Sequence, residues 1–187
     1  MRALSVAAVA AAAWGAAARG LAYEAVTAPA LGVTLEAPAA YTATESGAEG
    51  GTRLLRLTWA EGDAVPLEVT VTASSAPGRA LVVEAALAER ARGRLEGWEL
   101  DGTALPAAEL KRLGAEEGFA ASFAAGDRCS DVLYLAAASR HYRLEVSYPA
   151  APAGVWGDVS QHIRDTLRVL PAAAETPAPG VAPAGKE

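Results

Sequence analysis

The fold is decided by one stretch of sequence, VLYLAAASRHYRLEVSYP at residues 132–149. Residues 132–138 are apolar on both faces of an extended chain, which is typical of a central strand that is covered on both sides. From Arg140 to Tyr148 apolar and polar side chains alternate, which is the pattern of a half-buried strand. Pro149 then ends the alternation. The stretch therefore predicts two consecutive strands of a sheet.

Further strands are predicted upstream of this stretch. Phe119, Ala121 and Phe123 alternate with small residues and predict the strand just before it. Apolar residues at every second position, together with turn residues at 61–63, predict an antiparallel hairpin from residues 52–59 and 67–72. An earlier strand is predicted at residues 31–38, where a proline closes it.

Two segments have the spacing of an amphipathic helix. In residues 80–95, apolar side chains recur at every fourth position. The last helix is predicted from about Gly154 to Leu170, with one narrow apolar stripe formed by Trp156, Val159, Ile163, Leu167 and Leu170. The order of these elements predicts the α+β class, with a central antiparallel β-sheet flanked by helices on opposite faces.

Both ends of the chain are predicted to lie outside the folded domain. Arg2, followed by an uncharged alanine-rich stretch up to Ala18, is typical of a secretory signal peptide. Small-residue cleavage sites end at Ala18 and Ala22, and we place the cut after Ala22, which gives a signal peptide over residues 1–22. A single domain then covers residues 23–170, and the Pro/Ala-rich residues 171–187 are predicted to be a disordered tail.

Export of this kind predicts a periplasmic or secreted protein, with no membrane insertion after the signal is removed. Without Arg2 and Arg19 the mature chain has 14 basic and 22 acidic residues, a net charge of −8. This acidic balance repels a phosphate backbone, so nucleic-acid binding is not expected. Cys129 is the one cysteine, so no intramolecular disulfide can form, and we interpret it as a partly buried structural thiol.

Residue types that carry catalysis are scarce. The sequence has two histidines and one cysteine, and it lacks a Gly-x-Ser-x-Gly elbow and a phosphate-binding loop. No catalytic residue and no cofactor are therefore predicted. A Cys129–His141 dyad on paired strands remains an alternative, although nothing in the sequence orients the imidazole.

The acidic residues do not predict a metal site. Asp158 and His162 share one face of the last helix, but a metal needs further ligands that the sequence does not indicate. We interpret them as a solvated pair at the edge of the apolar stripe. Asp127 and Asp131 are interpreted as turn and strand-edge charges.

Taken in order, these elements resemble the PsbP-like family, which is named for an extrinsic subunit of photosystem II. The opening LGVTLEAP at residues 31–38 is similar to that family's first strand, and YRLEVSYP at residues 142–149 is similar to its close, before a helix with Ile163 and Leu167. The similarity covers residues 30–170. It implies a central antiparallel sheet with helices, no catalytic residues, and an accessory, assembly or chaperone-like binding role.

Three functions follow from these observations. The first is an exported, non-catalytic accessory or interaction module, monomeric by itself, that binds a protein partner in the cell envelope through a sheet edge or a helix-flanked groove. Its candidate binding residues are aromatic or imidazole side chains, Trp98, Trp156, Tyr148 and His141. The second is a carrier of a small apolar or lipidic ligand, and the third is an unrecognised hydrolase.

Overall fold

The computed structural model describes residues 21–47, 52–61, 64–75, 101–137, 140–150 and 153–171. Strands predominate in this part of the chain, and they are β1 (Tyr23–Ala28), β2 (Val33–Pro38), β3 (Thr42–Gly47), β4 (Arg53–Glu61), β5 (Ala64–Ser75), β6 (Asp101–Ala104), β7 (Glu117–Ala125), β8 (Arg128–Ala137), β9 (Arg140–Pro149) and β10 (Arg168–Val169). Two short helices accompany them, α1 (Ala107–Leu113) and α2 (Ala153–Thr166).

The strands form two antiparallel sheets. The larger sheet has seven strands in the order β3-β4-β5-β9-β8-β7-β6, and the smaller has the order β1-β2-β10. In the larger sheet, two runs of sequence neighbours, β3-β4-β5 and β6-β7-β8-β9, are joined where β5 pairs with β9. The central antiparallel sheet that the sequence predicted is therefore present.

The stretch at residues 132–149 forms the predicted pair of strands. β8 and β9 pair with Leu133 opposite Leu144, and side chains alternate along β9 between buried and half-buried. Val132 and Leu133, which point to opposite faces of β8, are both 0% exposed. This confirms a strand covered on both sides. The β4–β5 hairpin and strand β2 also lie where the sequence predicted them.

The core lies on one face of the larger sheet, which we call the core face. Leu57, Val71 and Leu144 contribute to it from three neighbouring strands. Trp156 of α2 is fully buried in the same cluster, and its ring lies 5.7 Å from that of Trp59. Each such side chain contributes roughly 1.5–3 kcal/mol when fully buried. The smaller sheet joins this core through alternate residues of β2, namely Val33, Leu35 and Ala37.

The helices differ from the prediction that they flank the sheet on opposite faces. Leu113 of α1 and Ile163 of α2 belong to the same cluster as Leu133, so both described helices pack against the core face. The helix predicted at residues 80–95 lies outside the described residues. For the part of the chain that the structure describes, the fold is mostly β, with two short helices on one face.

The last helix ends earlier than its apolar stripe predicted. α2 stops at Thr166, and the next residues form β10, where Val169 pairs with Val33 of β2. Thr166 Oγ1 donates to the carbonyl of His162 and accepts a hydrogen bond from the Glu36 N–H at 3.0 Å. The end of the helix is therefore fixed to β2, whose edge pairs with the residues that follow.

The segment before β7 also holds elements that the sequence did not predict. β6 pairs with β7, and α1 follows Pro106 and ends at Gly114, whose φ of 75° is the left-handed conformation that favours glycine. A helix of seven residues spans about two turns, too few for a helical period to stand out in the sequence. Within the described residues, neither helix is long and apolar enough to cross a membrane.

Candidate functional site

A buried carboxylate lies on the core face, near the start of β8. Asp131 of β8 points to the same side as Leu133 and is 7% exposed. Its carboxylate accepts hydrogen bonds from Ser122 Oγ of β7 at 2.6 Å and Ser160 Oγ of α2 at 2.6 Å, and from the Tyr148 hydroxyl of β9 at 3.0 Å. We call these four residues the Asp131 cluster.

The Asp131 cluster ties α2 to three strands of the larger sheet. Burying a carboxylate is costly unless its oxygens are hydrogen-bonded, and here three hydroxyl groups serve that purpose. Hydrogen bonds to an ionised acceptor contribute more than neutral ones, about 1.5–3 kcal/mol each. The arrangement therefore holds the helix in register on the sheet.

The environment of Asp131 also fixes the protonation of its neighbour. Burial, followed by the charge of Asp131 and the hydrogen bond to it, raises the pKa of Tyr148 far above the ordinary value for tyrosine, and Arg164 offsets only part of this effect. Tyr148 is therefore a neutral hydrogen-bond donor at physiological pH.

Cys129 lies next to the Asp131 cluster but has no imidazole partner in His141. Cys129 pairs with Tyr148 in the β8–β9 register, whereas His141 pairs with Ala136 near the other end of both strands and points to the opposite face. The alternative of a Cys129–His141 dyad is therefore wrong. Burial, together with the charge of Asp131, raises the pKa of the half-buried Cys129 thiol, so the thiol form predominates at neutral pH.

The predicted binding residues do not converge on one surface. Trp156 is 0% exposed in the core, and Tyr148 is buried in the Asp131 cluster. His141 is half-buried on the opposite face of β9. Trp98 lies outside the described residues, and a binding role for these four side chains stays a prediction.

The other face of the larger sheet carries a band of charged and hydroxyl side chains. These residues alternate with core residues along neighbouring strands, and we call them the polar band: Arg56 of β4, Glu68 and Thr70 of β5, Arg143, Glu145 and Ser147 of β9, and Arg128 of β8. A pocket of about 240 Å³ opens in the band, lined by Glu68, Thr70, Arg128, Glu145 and Ser147.

Ion pairs and hydrogen bonds hold the long side chains of the polar band. Arg143 Nη1 lies 2.7 Å from Glu145 Oε2, and Arg56 Nε lies 3.3 Å from Glu68 Oε1. Arg128 Nε donates to Ser147 Oγ at 3.1 Å. The five charged residues sum to one positive charge, although the whole chain carries −6. The band is thus an ordered surface of mixed charge on an acidic protein.

Asp158 and His162 do not pair with each other as a solvated couple. His162 Nε2 lies 2.8 Å from Glu36 Oε2 of β2, and the imidazole ring is 3.9 Å from the ring of Tyr23 in β1. Asp158 is exposed, and its charge adds to burial in raising the pKa of Tyr23. Among the described residues there is no group of three or more His, Cys, Asp or Glu side chains that could hold a metal ion.

Sequence reasoning misplaced Asp131 and overlooked the polar band. Asp131 was interpreted as a strand-edge charge. It lies two residues before Leu133 and four before Leu135, however, so it shares their apolar face of the strand. The signal for the band was the complementary alternation, in which Glu145 and Ser147 of one strand face Thr70 and Glu68 of the next. The pairing of β5 with β9 was needed to bring these two sets together.

No protein-family model matches the chain, and a search of curated proteins finds no match. Among solved structures, the solution structure of cyanobacterial PsbP (CyanoP) from Synechocystis is similar, with a TM-score of 0.56 and 12% identity over 80% of this chain and 93% of that one. A crystal structure from Bacteroides thetaiotaomicron gives a TM-score of 0.39 at 12% identity, covering 78% of this chain and 48% of the other. The chain has a PsbP-like fold, as the sequence resemblance predicted.

Proposed function

We propose that this protein is an exported, non-catalytic accessory module that binds a protein partner in the cell envelope through the polar band. The PsbP-like fold supports an accessory or binding module. The observation that carries the proposal is the pocket in the band, whose lining is made of charged and hydroxyl side chains on the central strands β5, β8 and β9.

The order within the polar band favours binding. Long charged side chains lose conformational freedom when they dock, at a cost of about 0.5–1.5 kcal/mol for each one immobilised. Arg143 and Glu145 already hold each other at 2.7 Å, and Arg128 is already bonded to Ser147, so part of this ordering precedes any encounter. A partner that docks here meets a surface that is largely arranged in advance.

The charge of the band indicates the chemistry of the partner. The pocket lining sets Arg128 against Glu68 and Glu145, and Arg56 and Arg143 form ion pairs with these two glutamates, so the band presents charges of both signs. We therefore expect the docking segment to carry a carboxylate that reaches Arg128 and a basic side chain that meets Glu68 or Glu145. Its binding weakens as salt is raised, because rim charges are screened.

Site-specific photo-crosslinking in cells tests the proposal. A photoreactive residue at Thr70, in the pocket, should yield one protein adduct, while the same residue at Thr27, exposed on β1, should not yield it. Arg128→Glu should reduce the Thr70 adduct at least tenfold, whereas the matched change Arg53→Glu on an exposed arginine should leave it unchanged. An unaffected adduct in Arg128→Glu, or equal adducts from Thr27 and Thr70, would overturn the proposal.

The other two predicted functions have less support in the described residues. The pocket lining is polar, which does not suit an apolar or lipidic ligand. A Thr70 adduct with the mass of a lipid instead of a protein would favour the carrier. For the hydrolase, Cys129 and His141 cannot form a nucleophile–base pair, because they lie on opposite faces of the sheet.

A further inference from the structure

Two residues ahead of β1 belong to the folded domain. Leu21 is half-buried and packs against the core cluster. The carbonyl of Ala22 accepts a hydrogen bond from the Ala39 N–H at 2.7 Å. This bond continues the β1–β2 register, in which Tyr23 lies opposite Pro38. The pairing of these strands therefore begins one residue before β1, at Ala22, and the packing against the core begins two residues before it, at Leu21.

The first residue of β1 is itself firmly placed. The ring of Tyr23 lies 3.9 Å from the ring of His162, which in turn pairs with Glu36 of β2. Leu21 and Ala22 thus contact the folded domain directly ahead of this residue.

These contacts distinguish the two cleavage sites of the sequence. Both sites place small residues at the two positions that a signal peptidase reads, Ala16 and Ala18 at the first and Gly20 and Ala22 at the second. A cut after Ala22 removes the packed Leu21 and takes the acceptor of the Ala39 N–H away. A cut after Ala18 preserves both contacts.

We propose that the signal peptide is removed after Ala18, so that the mature protein begins at Arg19. The mature chain then retains residues 19–22 and has 15 basic and 22 acidic residues, a net charge of −7. The proposal concerns maturation and does not depend on the polar band or on a protein partner, so each can fail without the other.

Intact mass and N-terminal sequencing of the exported protein test the site. The full chain, carrying a C-terminal tag, should yield a mature form that begins at Arg19. Ala18→Leu, which places a bulky residue at the cleavage position, should lower the yield of mature protein at least tenfold, and Ala22→Leu at the exposed Ala22 should not. A mature form that begins at Tyr23, an uncut precursor, or a block caused by Ala22→Leu each overturns the proposal.

Two deletions in the precursor test the physical reason. Deleting residues 19–22 makes the cut after Ala18 yield a chain that begins at Tyr23, which loses the Leu21 packing and the Ala22 hydrogen bond. Its thermal midpoint should be lower by about 5 °C. Deleting residues 19–20 alone retains both contacts and should leave the midpoint unchanged. Equal midpoints for the two deletions would contradict the role assigned to Leu21 and Ala22.

Discussion

The two faces of the larger sheet differ in how their charged side chains are solvated. On the core face, the carboxylate of Asp131 is 7% exposed and is surrounded by three hydroxyl donors. On the other face, the charges of the polar band form ion pairs whose side chains are 22% to 53% exposed. Water screens the second set and not the first, so similar carboxylates differ widely in what they contribute to stability. The difference comes from burial and not from the strands themselves, because core-face and band residues alternate along the same strands.

The largest effect should come from removing the buried carboxylate. Asp131→Ala leaves the hydroxyls of Ser122, Tyr148 and Ser160 without their acceptor and opens a small void. We expect the free energy of unfolding to fall by about 3–5 kcal/mol, measured by denaturant unfolding. Asp131→Asn, which retains an acceptor oxygen, should lower the free energy of unfolding by less than Asp131→Ala does.

A matched control is available on the surface of α2. Asp158 is exposed, so Asp158→Ala should change the free energy of unfolding by no more than about 0.5 kcal/mol. If Asp131→Ala cost no more than this control, the contrast between the two faces would disappear.

A smaller effect is expected from removing one donor of the Asp131 cluster. Tyr148→Phe deletes the hydroxyl that bonds Asp131 at 3.0 Å and should cost about 1–2 kcal/mol near neutral pH. The effect should also depend on pH. Burial and Asp131 raise the pKa of Tyr148 in the folded state, so at high pH the unfolded chain releases this proton first.

The sign of that dependence is definite. Below the ordinary tyrosine pKa of about 10 the hydroxyl is protonated in both states, and above it the stability of the wild-type protein falls as pH rises. Denaturant unfolding between about pH 8 and about pH 11 should show a shallower fall for Tyr148→Phe than for the wild type. Tyr41→Phe, outside the cluster, should keep the steep fall, and an identical slope in both variants would exclude Tyr148 as its cause.

The smallest effect is expected within the polar band. A double-mutant cycle on Arg143 and Glu145 should give a coupling of about 0.2–1 kcal/mol that decreases with added salt. The Arg56–Glu68 pair, which is longer and more exposed, should give a smaller coupling. A coupling energy in the band as large as the loss of unfolding free energy in Asp131→Ala would show that water does not screen the charges on this face.

The strands were predictable because a period of two is visible in short segments. Leu144 and Val146 alternate with Glu145 and Ser147, and this pattern alone located β9. α2 was located by its apolar stripe, but its end was not, because Leu167 and Val169 are also buried in the segment that leaves the helix for β10. Leu167 is buried in either arrangement, whereas Leu170, the last residue of the predicted stripe, is half-buried and Val169 is buried instead.

The candidate sites were less predictable because they depend on which strands become neighbours. Asp131 is distant in sequence from Ser160, and Glu68 is distant from Ser147, yet each pair is brought together by the sheet. A carboxylate between an apolar strand and a turn fits a strand edge as well as a buried position. The sequence showed which residues share a face of one strand, and the order of the strands in the sheet determined which residues of different strands became neighbours.

The way that the larger sheet is joined has a consequence for the folding kinetics. Within β3-β4-β5 and within β6-β7-β8-β9 every pairing is between sequence neighbours, whereas β5 and β9 are separated by residues 76–139. Closing so long a loop is slow, so we expect the pairing of Val69 with Val146 to form after the rate-limiting step. A double-mutant cycle on Val69 and Val146 should then show its coupling energy in the unfolding rate alone. A coupling energy in the refolding rate would instead place the β5–β9 pairing in the folding nucleus.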